Sequence, residues 1–383
     1  MSAAGTTFTA PDSIRVVRGT AALACAFGAA VLCFAFFRFL LVFPRAAVLT
    51  VVLELPLLLV GFVLLRLLRP VRAPALIWSA AALVWGATAA AGCALLANQG
   101  LVGLWAKGAG PMFASNWSAS LSAPLNEEVL KLCGVIMVVL AAPLTINGPL
   151  DGLIYGAIAG LGFQVAENVT YGLNSIALAG GANPDRAVLN SALLRIGFTS
   201  LGSHWTMTAV AGAGVGFFVR HSRSPVTQGG RVGDRPGWRA GLLPAAACLV
   251  TAMAMHVLFD APRPAILIKV LVNLVLAGGF YLVLSNRFIE RARAALAAEV
   301  MAGLVTIAEA DSLLSRRRRW LSLRQAAPGA ERHRLLARQR EVLARLDLDA
   351  ALAVALTAGG RRRYPQPPDP AAAPPYRRLR RPR

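Results

Sequence analysis

Apolar residues along the chain are gathered into long blocks and do not recur at the spacing of an amphipathic helix. A helix needs about 20 apolar residues to cross roughly 30 Å of hydrocarbon, and eight blocks meet that length. They cover residues 19–43, 46–65, 74–97, 121–142, 150–173, 196–219, 241–259 and 264–284. The pattern therefore predicts an all-α, polytopic membrane bundle of about eight transmembrane helices.

A different pattern follows the last block. Up to about residue 356 the apolar positions recur at helical spacing, with a break at Ala327, Pro328 and Gly329, so two short helices are predicted. From Gly359 onward the chain is rich in arginine and proline, which cannot bury a core, and we expect disorder. The predicted regions are an N-terminus (1–18), a transmembrane domain (19–285), a cytoplasmic helical region (286–358) and a disordered basic tail (359–383).

Composition supports the membrane interpretation, and the charge distribution gives an orientation. Of the 383 residues, 56% are hydrophobic and 15% are charged, and the net charge is +21. Most arginines lie in alternate loops and after residue 284, whereas Arg45, Lys107, Arg186 and Arg263 lie in the other loops. Because the basic side of a membrane protein is cytoplasmic, both termini are predicted to be cytoplasmic, in the cell membrane. The run 316–319 is interpreted as a solvated or lipid-headgroup-facing patch, and no nucleic-acid partner is expected.

Four consecutive blocks contain polar residues that a membrane span would not need. Ionisable groups inside a membrane are costly and usually mark functional sites. The candidates are Glu127, Glu128 and Lys131 in the fourth block, Glu167 and Asn168 in the fifth, His204 in the sixth, and His256 and Asp260 in the seventh. Each alone also has a structural interpretation, such as a buried ion pair, a hydrogen-bonding residue or a packed histidine.

Helical spacing suggests how these groups are arranged. Glu127 and Lys131 are four residues apart and share a face, while Glu128 is turned about 100° away. One carboxylate is thus expected to pair with the lysine while the other points into a cavity. His256 and Asp260 are also four apart, so the carboxylate can fix the tautomer of the imidazole.

The depths of these residues agree with one another. With a rise of 1.5 Å per residue, Glu128, Glu167, His204 and His256 all lie roughly 21 to 25 Å above the cytoplasmic boundary of their blocks. Four helices of alternating direction therefore deliver polar groups to one plane in the outer part of the bilayer. We expect the side chains to converge on one water-accessible pocket.

This ordered set resembles the PrsW family of intramembrane proteases, which is related to the CaaX-processing prenyl endopeptidases. The matching residues are Glu127, Glu128, Lys131, Phe163, Glu167, Asn168, His204, His256 and Asp260, and they define a protease core over 121–260. The resemblance implies hydrolysis of membrane-protein or peptide substrates in or near the lipid bilayer, with anti-sigma factors as substrates of some members. It also implies that Glu127 and Glu128 are the essential glutamates and that His204 and His256 are catalytic or metal-binding.

Two mechanisms remain open at this point. In one, Glu167, His204 and His256 bind zinc, which acidifies a water molecule. In the other, Glu127 or Glu128 activates water directly and the two histidines stabilise the oxyanion. The chain lacks the His-Glu-x-x-His motif of soluble zinc proteases. The outer position of the site suggests cleavage near the extracytoplasmic face.

Two other classes of protein use similar residues. Intramembrane glutamates and histidines also build proton relays, so a proton-coupled transporter is one alternative. The chain shows no matching pair of broken helices in two halves, which counts against it. The second alternative is a non-catalytic membrane scaffold whose polar cluster binds a partner helix.

Overall fold

The chain folds into a bundle of helices. A computed structural model describes residues 12–223, 226–228, 231–233 and 238–357, so the predicted tail from Gly359 onward lies outside the described residues. The helices are α1 (Asp12–Val42), α2 (Pro44–Leu68), α3 (Leu76–Trp85), α4 (Ala91–Ala109), α5 (Pro111–Ala141), α6 (Pro149–Leu178), α7 (Pro184–Ala192), α8 (His204–Arg223), α9 (Trp238–Asp260), α10 (Ile266–Met301), α11 (Ile307–Leu313), α12 (Arg316–Gln325) and α13 (Ala330–Thr357). Strands β1 (Val226–Gln228) and β2 (Arg231–Gly233) pair antiparallel between α8 and α9. The predicted helical architecture is confirmed, with this hairpin as an addition.

Five helical segments of the described chain are long and apolar enough to cross a membrane. They are α1, α2, the continuous segment Leu76–Ala109, α9 and α10. In Leu76–Ala109 a π-helical turn, Gly86–Ala90, joins α3 to α4. The other three predicted spans correspond to α5, α6 and α8, which carry most of the intramembrane polar residues. The chain is therefore a multi-pass membrane protein, while the count of eight spans stays a prediction.

Helix α6 is the central helix of the bundle, and its first sixteen residues are almost all apolar and fully buried. Glycines let it approach α8 closely, because a Cβ at Gly152 would lie 2.1 Å from Gly212 O and one at Gly156 would lie 2.2 Å from Thr208 O. A Cβ at Gly160 would lie 2.6 Å from His204 O. This glycine seam brings His204 beside the part of α6 that carries Glu167.

The sixth predicted span, 196–219, is not one continuous helix, and the prediction is wrong in this respect. A π-helical turn, Leu193–Thr199, and a 3-10 turn, Ser200–Gly202, follow α7. Ser203 is extended, with φ −91° and ψ −153°, and α8 begins at the next residue, His204. The helical backbone is therefore interrupted immediately before a candidate catalytic residue.

Such a break leaves carbonyl groups without helical partners, and a membrane supplies no water to bind them. Side chains of neighbouring helices donate to these carbonyls instead. Gln164 Nε2 donates to Ser200 O at 3.3 Å, and Asn273 Nδ2 donates to Gly202 O at 2.8 Å. The irregular segment is thus fixed by α6 and α10, and so is the start of α8.

The region after the membrane spans has more helices than predicted. Helix α10 continues to Met301, well beyond the predicted end of its span at residue 284, and three helices follow where two were expected. The interruption predicted at Ala327–Gly329 separates α12 from α13, with Gly329 at φ 94°. Leu343 and Leu346, two of the leucines at helical spacing, are buried in the same core as Phe288 of α10.

Candidate active site

The candidate site lies where α5, α6, α8 and α9 meet. Glu127, Glu128, Lys131, His204 and His256 are all buried, each with at most 2% of its surface exposed. Unpaired charges at such depth would be very costly, so the hydrogen bonds among them define what the cluster can do. The structure brings all the predicted residues of the four helices together.

The two neighbouring glutamates have different surroundings. Glu128 Oε1 lies 2.6 Å from Lys131 Nζ and 3.0 Å from His256 Nδ1, and Glu128 Oε2 accepts from Thr208 Oγ1 at 3.0 Å. Both of its oxygens are therefore occupied. Glu128 is held firmly as the partner of the buried lysine.

Glu127, unlike Glu128, has one carboxylate oxygen that is not hydrogen-bonded within the described part of the chain. Its Oε1 accepts from Asn98 Nδ2 at 2.9 Å, while its Oε2 is buried without a hydrogen-bond partner among the described residues. Lys131 Nζ is 3.6 Å from that oxygen, farther than from Glu128. Lys131 is thus within ion-pair distance of both glutamates, because residues three apart on a helix are neighbours as well as residues four apart.

Each histidine has a ring nitrogen within hydrogen-bond distance of a glutamate on another helix. His204 Nε2 lies 2.7 Å from Glu167 Oε2, and His256 Nδ1 lies 3.0 Å from Glu128 Oε1. The other nitrogens face Glu127: His204 Nδ1 is 3.8 Å and His256 Nε2 is 3.7 Å from Glu127 Oε2. Carboxylates that fix the outer nitrogens of two histidines are typical of metal-binding imidazoles.

Glu127, His204 and His256 form a group with the dimensions of a metal site. One ligand atom from each lies within 4.8 Å of the others. Zinc binds nitrogen and oxygen at about 2.0–2.2 Å in a tetrahedral arrangement, which separates ligand atoms by about 3.3–3.5 Å. The free oxygen of Glu127 and the two nitrogens that face it fit a metal of this kind after a small contraction. Lys131 Nζ, 3.0 Å from His204 Nδ1, competes with a metal for that nitrogen.

Glu167, a member of the predicted ligand set with His204 and His256, lies outside this group. Its Oε2 accepts from Arg195 Nη2 as well as from His204 Nε2. Arg195 Nε also donates to Asn168 Oδ1 at 2.9 Å, and Asn168 Nδ2 donates to Glu54 Oε2 at 3.0 Å. Glu167 and Asn168 therefore belong to a network behind His204 that orients its ring.

Phe163 and Asp260 complete the set of predicted residues. Lys131 Nζ lies 4.4 Å from the centre of the Phe163 ring, which also makes an edge contact with His204. Asp260 Oδ2 lies 3.3 Å from His256 Nε2, as the spacing predicted, and its side chain is 22% exposed. Asp260 therefore lies next to the metal-sized group, and its carboxylate is partly exposed to solvent.

Two polar residues of the site were missed, and both lie at the ends of predicted spans. Asn98 follows the block 74–97 and Arg195 precedes the block 196–219, so each was assigned to a loop. In the structure α4 continues to Ala109, and the π-helical turn begins at Leu193. The sequence signal that could have identified them is a polar residue directly beside the end of a predicted span.

A cavity of about 430 Å³ leads to the cluster between α4 and α6. On α4 it is lined by Ala91, Ala94, Leu95, Asn98, Gln99 and Val102, and on α6 by Phe163, Glu167, Thr170, Tyr171 and Asn174. Glu127 is the residue of α5 that borders it. The cavity gives a route from outside the bundle to the glutamate with the free oxygen.

The chain is similar to one family of known proteins. A family model described as PrsW family intramembrane metalloprotease matches residues 74–285, more than half of the chain. The matched segment contains every residue of the metal-sized group and the network behind it, apart from Glu54. No curated protein and no solved structure matched.

Proposed function

Because this chain belongs to the PrsW family of intramembrane metalloproteases and is therefore a membrane-embedded peptidase, we propose that Glu127, His204 and His256 hold a catalytic zinc ion. The observation that carries the proposal is the buried Oε2 of Glu127, which has no hydrogen-bond partner among the described residues and faces two imidazole nitrogens. A cation between these three atoms satisfies a carboxylate oxygen that is otherwise costly to bury.

The residues around this group prepare it for a metal. In the tautomers that place the protons on His204 Nε2 against Glu167 and on His256 Nδ1 against Glu128, the nitrogens facing Glu127 would present lone pairs to a metal. A zinc ion bound there would lower the pKa of a water molecule and polarise the scissile carbonyl. Both effects favour hydrolysis of an amide at neutral pH.

Two further groups have the positions for proton transfer and charge stabilisation. Asp260 is partly exposed and lies 3.3 Å from His256 Nε2, so we assign it as acceptor of the proton from the attacking water. Glu128, predicted as a base, has both oxygens hydrogen-bonded and serves to position His256 and Lys131. The ammonium of Lys131 supplies positive charge next to the group, where negative charge develops on the carbonyl oxygen.

The substrate reaches the site through the cavity between α4 and α6. Its walls combine small apolar side chains with the amides of Asn98, Gln99 and Asn174, which suit an unfolded peptide backbone. The depth of the site in its helices supports cleavage near the extracytoplasmic side, with both termini cytoplasmic. Membrane proteins with one span, of the anti-sigma-factor type, are the substrate class that we propose.

One observation favours a second mechanism. Lys131 Nζ lies 3.0 Å from His204 Nδ1, the nitrogen that the metal would use. If the lysine keeps this hydrogen bond during the reaction, Glu127 activates water without a metal, and the histidines stabilise the oxyanion. The transporter and scaffold interpretations predict no cleavage, with or without a metal.

The test uses the purified full-length protein in lipid nanodiscs with a single-span model substrate. We expect about one zinc per chain by mass spectrometry, loss of cleavage after treatment with a chelator, and recovery with added zinc. Full cleavage by metal-free protein would establish the glutamate-only mechanism. A protein that binds zinc but never cleaves any substrate in a panel of single-span proteins would contradict the catalytic assignment.

Asn98 provides a prediction about the residue that orients Glu127. Asn98→Ala removes the hydrogen bond to Glu127 Oε1, so the carboxylate loses its fixed orientation. Losing such a supporting hydrogen bond typically lowers metal affinity or activity by about 10- to 100-fold. Zinc affinity and kcat measure the effect.

Gln99→Ala is the matched control for Asn98→Ala. Gln99 is the next residue of α4 and lines the same cavity, but it is not a partner of Glu127 in the structure. We expect Gln99→Ala to leave zinc affinity unchanged and to alter KM at most. Equal losses of zinc affinity in the two variants would contradict the positioning role of Asn98.

A further inference from the structure

Helix α12 exposes apolar side chains and directs some of its charged side chains toward the protein, which is the reverse of an ordinary surface helix. Arg317, Trp320, Leu321 and Arg324 lie at positions i, i+3, i+4 and i+7 and so form one stripe. Trp320 is 49% exposed and Leu321 is 38% exposed, and both arginines are exposed as well. The helix thus turns its one aromatic residue and a leucine outward, between positive charges.

On the other side of α12, arginine side chains point toward the rest of the protein. Arg316 Nη2 donates to Arg69 O at 2.5 Å, and Arg319 Nη2 donates to Val71 O. Burial and the neighbouring charge of Arg69 lower the pKa of Arg316, and burial and Arg316 lower the pKa of Arg319. These contacts fix α12 against the turn between α2 and α3, in surroundings rich in positive charge.

The turn that α12 contacts lies at the edge of the membrane. Leu64 and Leu67, on the last turns of α2, are 56% and 52% exposed, as lipid-facing residues are. Helix α2 ends at Leu68, and Val71 is three residues farther, at most about 10 Å along the chain. The headgroup layer extends about 5–8 Å beyond the hydrocarbon on each side. Helix α12 therefore lies at or close to the level of the headgroups.

Tryptophan and arginine are the residues expected at that level. Trp residues concentrate at membrane–water interfaces, and basic side chains near the surface are attracted to anionic headgroups. Arg324 stacks over the Trp320 ring at 4.1 Å, so the charge and the aromatic surface act at one place. No acidic residue is present in α12.

We propose that the stripe of Arg317, Trp320, Leu321 and Arg324 is a docking surface for anionic phospholipids in the leaflet next to the α2–α3 turn. Trp320 and Leu321 enter the headgroup boundary, and the two arginines bind phosphate groups. This docking surface continues the lipid-facing side of α2. The inference is independent of the proposed zinc site, because it concerns a surface outside the membrane spans.

The experiment measures the contact of Trp320 with lipid in the full-length protein. The protein is reconstituted in nanodiscs of phosphatidylcholine, with or without phosphatidylglycerol, whose acyl chains are brominated near the glycerol end. Bromine quenches tryptophan fluorescence on contact. The chain has 7 tryptophans, so the signal of Trp320 is the difference between wild type and Trp320→Phe. We expect Trp320 to be quenched strongly only in discs with phosphatidylglycerol.

The arginines are tested in a double variant, Arg317→Gln with Arg324→Gln. Each arginine near an anionic surface contributes about fivefold to binding, so the docking equilibrium should fall by more than an order of magnitude. High salt should weaken wild-type quenching in the same way, which provides a test without any substitution. The matched control is Arg332→Gln with Arg340→Gln, two exposed arginines of α13, and should retain quenching.

The outcomes separate the sources of the anion. Competition by millimolar inorganic phosphate would mean that the surface binds free phosphate and would overturn the proposal for lipid. Equal quenching in both kinds of disc, or quenching that neither salt nor the double variant changes, would show an apolar contact without headgroup recognition. Absence of quenching in both discs would overturn the proposal as well.

Discussion

Replacing Glu127 by glutamine is expected to remove both bound zinc and peptidase activity while the protein stays folded. Glutamine has the same shape and keeps an oxygen for Asn98, but the free Oε2 of Glu127 becomes an amide nitrogen, which cannot bind a cation. The loss of a metal-activated water should lower kcat by about 10³-fold or more. Zinc content, cleavage of the single-span substrate and thermal unfolding in detergent measure the three parts of the result.

Glu54→Gln is the matched control for Glu127→Gln. Glu54 is another buried glutamate, on α2, and its carboxylate accepts from Asn168, not from the histidines. The substitution keeps the size of the side chain and removes a negative charge from the membrane domain. Because Glu54 is connected to His204 through Asn168, Arg195 and Glu167 and does not face the proposed metal, zinc should stay bound and cleavage should fall far less than in Glu127→Gln. A Glu127→Gln protein that keeps stoichiometric zinc would exclude Glu127 as a ligand and return the choice to Glu167.

The sequence was sufficient to find the residues that converge, because a charge within a long apolar block stands out against its neighbours. Glu127, Glu128, Glu167, His204 and His256 stand out in this way in four separate blocks, and in the structure they are in contact. Predicted depth along each helix was enough to expect one common plane. The family comparison then supported the class of reaction that this order of residues implies.

The roles within the cluster were harder to predict. Which of two adjacent glutamates faces a cavity depends on the rotation of α5 and on side-chain conformers, and the lysine can reach residues three or four positions away. The metal-sized group contains Glu127 in place of Glu167 because Arg195 holds Glu167 on the far side of His204. Tertiary contacts of this kind are not encoded in the spacing of one helix.

The pattern of apolar residues also could not predict where the helices are interrupted. No proline marks a break in the block 196–219, yet the backbone changes from π-helical to extended before His204. That change depends on hydrogen bonds from α6 and α10 to the freed carbonyls. Asn98 and Arg195 were missed for a related reason, since span ends were set by apolarity while the helices continue past them.

A second large effect is expected at Glu128, and it separates a positioning role from a chemical one. Lys131 is fully buried, and its closest partner is Glu128 Oε1 at 2.6 Å. Glu128→Gln leaves the ammonium without the carboxylate that compensates it most directly. Breaking a buried pair in this way typically costs about 3–5 kcal/mol. We expect a markedly lower unfolding temperature in detergent, together with loss of cleavage.

The double variant Glu128→Gln with Lys131→Met removes the unpaired charge as well. Methionine fills a similar volume, and replacing a buried ion pair by apolar residues is often neutral for stability. Thermal stability should therefore return close to that of the wild type, while cleavage stays absent because His256 has lost its carboxylate and the lysine charge is gone. A Glu128→Gln protein of unchanged stability and no activity would instead assign Glu128 directly to proton transfer, because the lysine would then not depend on its charge.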